Sequence, residues 1–289
     1  LPMDWLWGPN EEPTPRHFFV ALYSSVFFLG ARILLDKFVF RRMAFWLLGC
    51  GVAQLKTVDA THAMIVKCTE SMWKFTFYAT AEAWILTITY HEPWFRDSNE
   101  YFNRWPNQEL RPSLKLFYMS ECGFYLYSIA ALLAWETRRK DFSVMMSHHV
   151  ITILLIGVSY ITRFFRIGTV VLALHDASDV LMESAKVFKY SGKEVGASVC
   201  FGLFAVSWVG LRLIFFPFWV IRSTSIDLCR CLNLSETYPT ILYYSFNTLL
   251  VMLLVFHIYW WVLICLMITR QLKNRGKIGE DIRSDSDDE

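Results

Sequence analysis

Apolar stretches of about twenty residues recur along this chain almost from end to end, and that feature leaves it few folds to choose from. Seven segments approach the ~20 residues a helix needs to cross the hydrocarbon core of a bilayer. They are Phe18 to Leu35, Met72 to Tyr90, Leu114 to Trp135, Val144 to Thr162, Gly168 to Phe188, Val199 to Ile221 and Ile241 to Thr269. Backbone in lipid has to hydrogen-bond to itself, so such segments become helices. The expectation is an all-α membrane protein with seven transmembrane helices in a single membrane domain. Composition agrees: 55% of residues are hydrophobic and 17% aromatic, more than a soluble core of this length needs.

The position of the charges, rather than their total, orients the chain. The formal net charge of +2 offers no footprint for nucleic acid. Lys37, Arg41, Arg42, Lys56 and Lys67 follow the first span, Arg138, Arg139 and Lys140 the third, and Lys186, Lys189 and Lys193 the fifth. Arg270, Lys273, Arg275 and Lys277 follow the seventh. The alternate connections hold fewer basic residues or balance them with acids, so the positive-inside rule puts the N-terminus in the lumen and the C-terminus in the cytosol.

Residues 1–17 are then luminal, 18–35 the first span, 36–71 a cytosolic connection, 72–269 the main membrane domain and 270–289 an acidic cytosolic tail. The short apolar stretch Phe45 to Val52 is expected to lie along the interface. Ser284 and Ser286 each have an acidic residue three positions on and are candidate phosphorylation sites, a plain solvated tail being the equal alternative. Asn233-Leu234-Ser235 is a glycosylation sequon on the luminal side. Trp94, Trp105, Trp219, Trp260 and Trp261 lie near span ends and read as interfacial anchors. No cleavable signal peptide is expected, and the seven scattered cysteines read as reduced thiols.

A charged group inside a bilayer costs about 2.5–3.5 kcal/mol, so a cluster of them calls for a reason. The fourth span holds His148 and His149; the fifth holds His175, Asp176, Asp179 and Glu183. Asp176, Asp179, Glu183 and Lys186 recur at helical spacing and form one stripe, which must face protein or water. The link Arg163 to Arg166 is short enough to make the two spans an antiparallel pair. Counting outward from its midpoint sets His149 level with about Val180, so Asp179 lies within a turn of the histidines and can hold one imidazole. That is the base-and-orienter arrangement of acyl transfer. A metal site is the rival reading, but adjacent histidines on a helix point about 100° apart, and no metal is expected. His257 and Asn247 in the seventh span are supporting candidates, with helix packing as the alternative for each.

The run from Asp141 to His149, continuing through Arg166-Ile167-Gly168 and Leu174 to Asp179 and on to Lys186-Val187-Phe188-Lys189-Tyr190, resembles the signature motif of the ceramide synthases, the longevity-assurance family with a TLC domain. Glu92-Pro93-Trp94, Trp135 to Arg139, Phe216 to Trp219 and His257 to Trp261 extend the likeness over nearly the whole chain. It is most similar to the plant branch, in which the first cytosolic connection is short. The resemblance implies a barrel of six helices, the second to the seventh, around a central tunnel, with the first span outside. It implies N-acylation of a sphingoid base, sphinganine or phytosphingosine, by acyl-CoA in the endoplasmic reticulum membrane. It also implies no cofactor and a preference for long, palmitoyl-type chains.

On that footing His148 is expected to attack the thioester, Asp176 or Asp179 to orient the imidazole, and His149 to manage protons, with the two histidines free to exchange roles. Single displacement, with histidine as general base only, stays open. The phosphates of CoA are expected at the cytosolic end, near Arg138, Arg139, Lys140, Lys186, Lys189 and Arg270. The luminal connection Ser223 to Thr240 is expected to gauge chain length. Partners are acyl-CoA, the sphingoid base, the bilayer and a second subunit in a homodimer or heterodimer. The competing class is a non-enzymatic TLC-domain protein that binds lipid or assists translocation.

Overall fold

The computed structural model of the chain describes residues 12–49, 58–232 and 234–273, and among these no strand occurs. Helix α1 spans Pro15–Gly49, followed by α2 Val58–Thr89, α3 Pro112–Ala134, α4 Phe142–Ile161 and α5 Phe165–Tyr190. Helices α6 Glu194–Cys231 and α7 Thr237–Lys273 complete the set. Every expected span falls on a helix. Five of these, α1, α3, α4, α6 and α7, are long and apolar enough to cross a membrane. The expectation of seven therefore narrows to five that qualify by length and composition. Helices α2 and α5 are diluted by ionisable residues, and those residues point inward: Glu70, Asp176 and Glu183 are all buried.

Helix α1 runs on where a separate interfacial segment was expected. A π-helical turn, Asp36–Phe40, carries it into Arg41–Gly49, and Asp36 accepts from Arg41 at 2.7 Å across that turn. Residues 50–52 of the expected segment lie outside the described residues. Helix α1 is peripheral, since only 11% of its most apolar window is buried. It leans on α3 at Gly123, where a Cβ would stand 2.6 Å from the carbonyl oxygen of Ala21. Phe28 drives edge-on into Trp73, Phe77 and Phe124. At the start of α1, buried His17 shares a 2.5 Å hydrogen bond with the Tyr160 hydroxyl of α4.

Helices α4 and α5 form the expected antiparallel hairpin, closed by a turn in which Arg163 takes a positive φ of 63°. Gly168 sits against this turn because a Cβ there would overlap the Tyr118 hydroxyl and come within 3.0 Å of Ser159 Oγ. The α2–α3 connection covers the hairpin: the Trp105 indole donates to the Thr162 carbonyl at 2.9 Å, and Arg166 donates to that of Glu100 at 2.6 Å. The expected anchors divide accordingly. Trp94 and Trp260 are buried, whereas Trp219 is 48% exposed.

Helix α6 departs from α-helical winding over Trp208–Ile221, which is π-helical. Pro217 lies within this stretch and has no amide hydrogen to contribute to a regular ladder. The change of winding resets which residues of α6 face the bundle, and it brings Arg212 inside at 2% exposure.

Candidate active site

The hairpin delivers both histidines of α4 to one chamber. His148 and His149 are buried with ring centroids 5.6 Å apart, and both line a cavity of about 170 Å³. Nδ1 of each ring is buried with no hydrogen-bond partner among the described residues. Trp260 of α7 stands edge-on to His148 at 5.1 Å, and Tyr125 of α3 lies 5.4 Å from His149. Aromatic rings thus flank both imidazoles without engaging their Nδ1 atoms.

A second histidine pair lies beside the first. His148 stacks on His175 at 6.3 Å, and His175 Nε2 meets His257 Nε2 at 2.8 Å. The tautomers follow from the partners. His175 Nδ1 lies 2.6 Å from the Val171 carbonyl, which only accepts, so Nδ1 carries the hydrogen. With neutral rings, His175 Nε2 then accepts from His257 Nε2, which leaves His257 Nδ1 without a hydrogen. His257 is therefore tied to the site through His175.

The acids do not meet the histidines of α4. Asp179 accepts from Arg212 Nη2 at 2.7 Å, and the same guanidinium donates from Nε to Ser178 Oγ at 2.8 Å and from Nη2 to the His175 carbonyl at 3.0 Å. Asp176 is fully buried off the cavity wall, neither carboxyl oxygen has a hydrogen-bond partner among the described residues, and its acidic neighbours include Glu121 and Glu82. Counting from the link had set Asp179 within a turn of the histidine pair and able to hold one imidazole; the ring contact falls at His148–His175, about one turn nearer the link on α5, and Asp179 pairs with Arg212. The count assumed equal rise on two parallel helices, and packed helices cross at an angle. Of the stripe, Asp179, Glu183 and Lys186 line the cavity and Asp176 does not.

Paired charges also line the cavity. Lys74 bridges Glu136 at 2.8 Å and Glu70 at 3.2 Å, and Lys186 reaches Glu183 at 2.7 Å. Of the six cations expected to meet phosphate, Arg139, Lys186 and Lys189 line the cavity. Arg138 stacks instead on Phe142 at 4.4 Å, and Lys140 and Arg270 lie outside the lining. Asn247 donates to the carbonyls of Thr224 and Tyr243, joining α6 to α7 away from the chamber. Ser284, Ser286 and the sequon residue Asn233 lie outside the described residues.

Sequence reasoning passed over Arg212, Tyr125, Trp208 and the Glu70–Lys74–Glu136 cluster. Arg212 carried a signal, as a lone charge inside the apolar run Val199 to Ile221. Tyr125 carried none.

Residues 67–266 match the family model described as TLC domain. The chain is 64% identical over 274 residues to Ceramide synthase LOH2 of Arabidopsis thaliana, covering 94% of this chain and 93% of that one. It is 56% identical to ASC1-like protein 3 of Oryza sativa subsp. japonica, over 96% of this chain and 98% of that one. Identity to Ceramide synthase 1 LOH3 of Arabidopsis thaliana is 47%, over 98% and 95%.

Proposed function

Because this chain belongs to the plant ceramide synthases, membrane enzymes of the TLC-domain family, we propose that its buried histidine pair carries a fatty acyl group from acyl-CoA to the amine of a sphingoid base. The observation that carries this reading is the pair itself: two imidazoles whose Nδ1 atoms have no hydrogen-bond partner among the described residues, on the wall of a chamber that Arg139, Lys186 and Lys189 also line. An acyl thioester is already activated, so the site needs only a nucleophile, a held carbonyl and the exclusion of water.

One imidazole, His148 or His149, attacks the thioester carbon. A nitrogen–carbon bond forms, the carbon–sulfur bond breaks, and CoA leaves as a thiolate that takes the proton shed by the acyl-imidazolium. The neutral amine then attacks the acyl-imidazole. The amide bond forms, the carbon–nitrogen bond to the imidazole breaks, and the second histidine accepts the ammonium proton and returns it to the leaving imidazole. Asp179, through Arg212, and His257, through His175, hold the surrounding scaffold rather than the nucleophile.

The preferred donor is a palmitoyl-type acyl-CoA and the acceptor sphinganine or phytosphingosine. CoA enters past Arg139, Lys186 and Lys189 from the cytosol, with the C-terminus on that side and the N-terminus in the lumen of the endoplasmic reticulum. Helices α2 to α7 surround the tunnel as a six-membered barrel, a reading supported by the peripheral, poorly buried α1. The unit pairs as a homodimer or heterodimer.

The test is amide synthesis by purified His148→Ala/His149→Ala protein. Loss to background with an unchanged melting temperature is expected. Synthesis retained by the folded double variant overturns the assignment.

A further inference from the structure

Arg212 is the one charged side chain of α6 between Glu194 and Arg222, and it is 2% exposed at membrane depth. Burying a guanidinium there costs several kcal/mol unless it is paired and hydrogen-bonded. Asp179 supplies the pairing. The guanidinium is then fixed further: it lies 4.1 Å over the Trp208 ring, and the Trp208 indole donates to the His257 carbonyl at 3.2 Å. Trp208 is 6.3 Å from Trp260, the ring that stands edge-on to His148. Arg212 and the histidine pair thus share one rigid aromatic wall.

The hydrogen bonds of the guanidinium to the described residues use Nε and Nη2 alone. Nη1 makes none, and Arg212 lines the same cavity as His148 and His149. A structural ion pair has no use for a spare donor on a cavity wall. A developing oxyanion does, because a fixed donor in a dry site needs no reorganisation when the charge appears.

We propose that Arg212 is the oxyanion donor of the acyl-transfer site, with Nη1 meeting the thioester carbonyl oxygen. This rests on the reading of a histidine attack given above. As the imidazole nitrogen bonds to the carbonyl carbon, the π pair of the carbonyl moves onto oxygen and is held by the Nη1 hydrogens. It returns as the carbon–sulfur bond breaks. Arg212 gives up no proton at any stage. The sphingoid amine raises the same oxyanion when it attacks the acyl-imidazole, so both half-reactions draw on the one donor.

The experiment compares wild type, Arg212→Gln and Arg212→Lys, using palmitoyl-CoA without amine and following acyl-enzyme formation in a single turnover. Arg212→Gln is expected to slow acylation about 10²–10³-fold. Affinity for hexadecyl-CoA thioether, which lacks the carbonyl oxygen, should stay within about threefold of wild type, and Arg212→Lys should recover part of the rate. Folded Arg212→Gln protein that acylates within about threefold of wild type, or that loses only affinity for the thioether, overturns the proposal.

Because removing the cation strands Asp179, a second comparison sets Arg212→Gln/Asp179→Asn against Asp179→Asn alone. The same slowing is expected, and a ratio near one overturns the proposal. Should wild type form no acyl-enzyme, the two-step reading fails by itself. The steady-state kcat of the same variants with sphinganine present then decides the role of Arg212 by the same margins.

Discussion

His148 and His149 can serve a dry acyl transfer because nothing among the described residues claims their Nδ1 atoms while Trp260 and Tyr125 flank their rings. The neighbouring pair has the opposite character: His175 and His257 are bound to each other and to the Val171 carbonyl, so they are scaffold. His257→Leu should strand His175 Nε2 and cost about 1–3 kcal/mol, read as a lower melting temperature. It should lower kcat more than it raises KM, and His257→Gln, which keeps a donor, should recover most of both. A His257→Leu enzyme with wild-type kcat and stability would show that the second pair is idle.

The charged positions on α4 and α5 were legible in sequence because each is costly in lipid, and Arg212 was legible by the same argument. The commitment of Asp179 was not. Its partner comes from α6, where π-helical winding around Pro217 breaks the count that would predict which side of the helix Arg212 takes.

At the scale of helices, length and hydropathy sufficed to place a helix at every expected span, five of them long and apolar enough to cross a membrane. Ends and phases were less legible. Helix α1 continues through a π-turn because Asp36 is paired with Arg41, and no apolar pattern reports that pairing. Two glycines mark where helices come closest. Gly168→Ala forces a methyl against the Tyr118 hydroxyl and Ser159, and overpacking of this kind costs about 1–3 kcal/mol. Gly123→Ala presses on the Ala21 carbonyl oxygen and the Ser24 Cβ of α1 and should loosen α1 from the bundle. Thermal melting in detergent should show a lowered midpoint for both. The two differ in protease sensitivity, which should rise near α1 only for Gly123→Ala. Equal stability of Gly168→Ala and wild type would contradict the packing at the α4–α5 turn.

At the scale of the whole molecule, two cavities differ in polarity. The chamber is lined by Arg139, Lys186, Lys189 and the Lys74 cluster, while a second, smaller cavity lined by Thr152, Leu155, Ile156, Phe246, Leu250 and Leu253 shares Tyr125 with it. A polyphosphate head with a greasy tail fits that polarity from one direction only. Arg139→Glu should therefore raise KM for acyl-CoA about tenfold at fixed low salt and leave kcat within about twofold. Unchanged kinetics would remove Arg139 from the donor site. Exchanging Ser223 to Thr240 for the corresponding segment of a relative with a different chain preference should shift the acyl profile, and an unmoved profile would end that assignment.

Every scale of the account depends on an acyl group resting on a histidine of α4. Wild-type enzyme incubated with palmitoyl-CoA in the absence of amine, quenched in acid and mapped by peptide mass, tests this directly. The predicted result is one palmitoyl adduct on the peptide holding His148 and His149, discharged to amide on adding sphinganine. Turnover to ceramide in the same preparation, with no adduct on either histidine under trapping conditions, would contradict it.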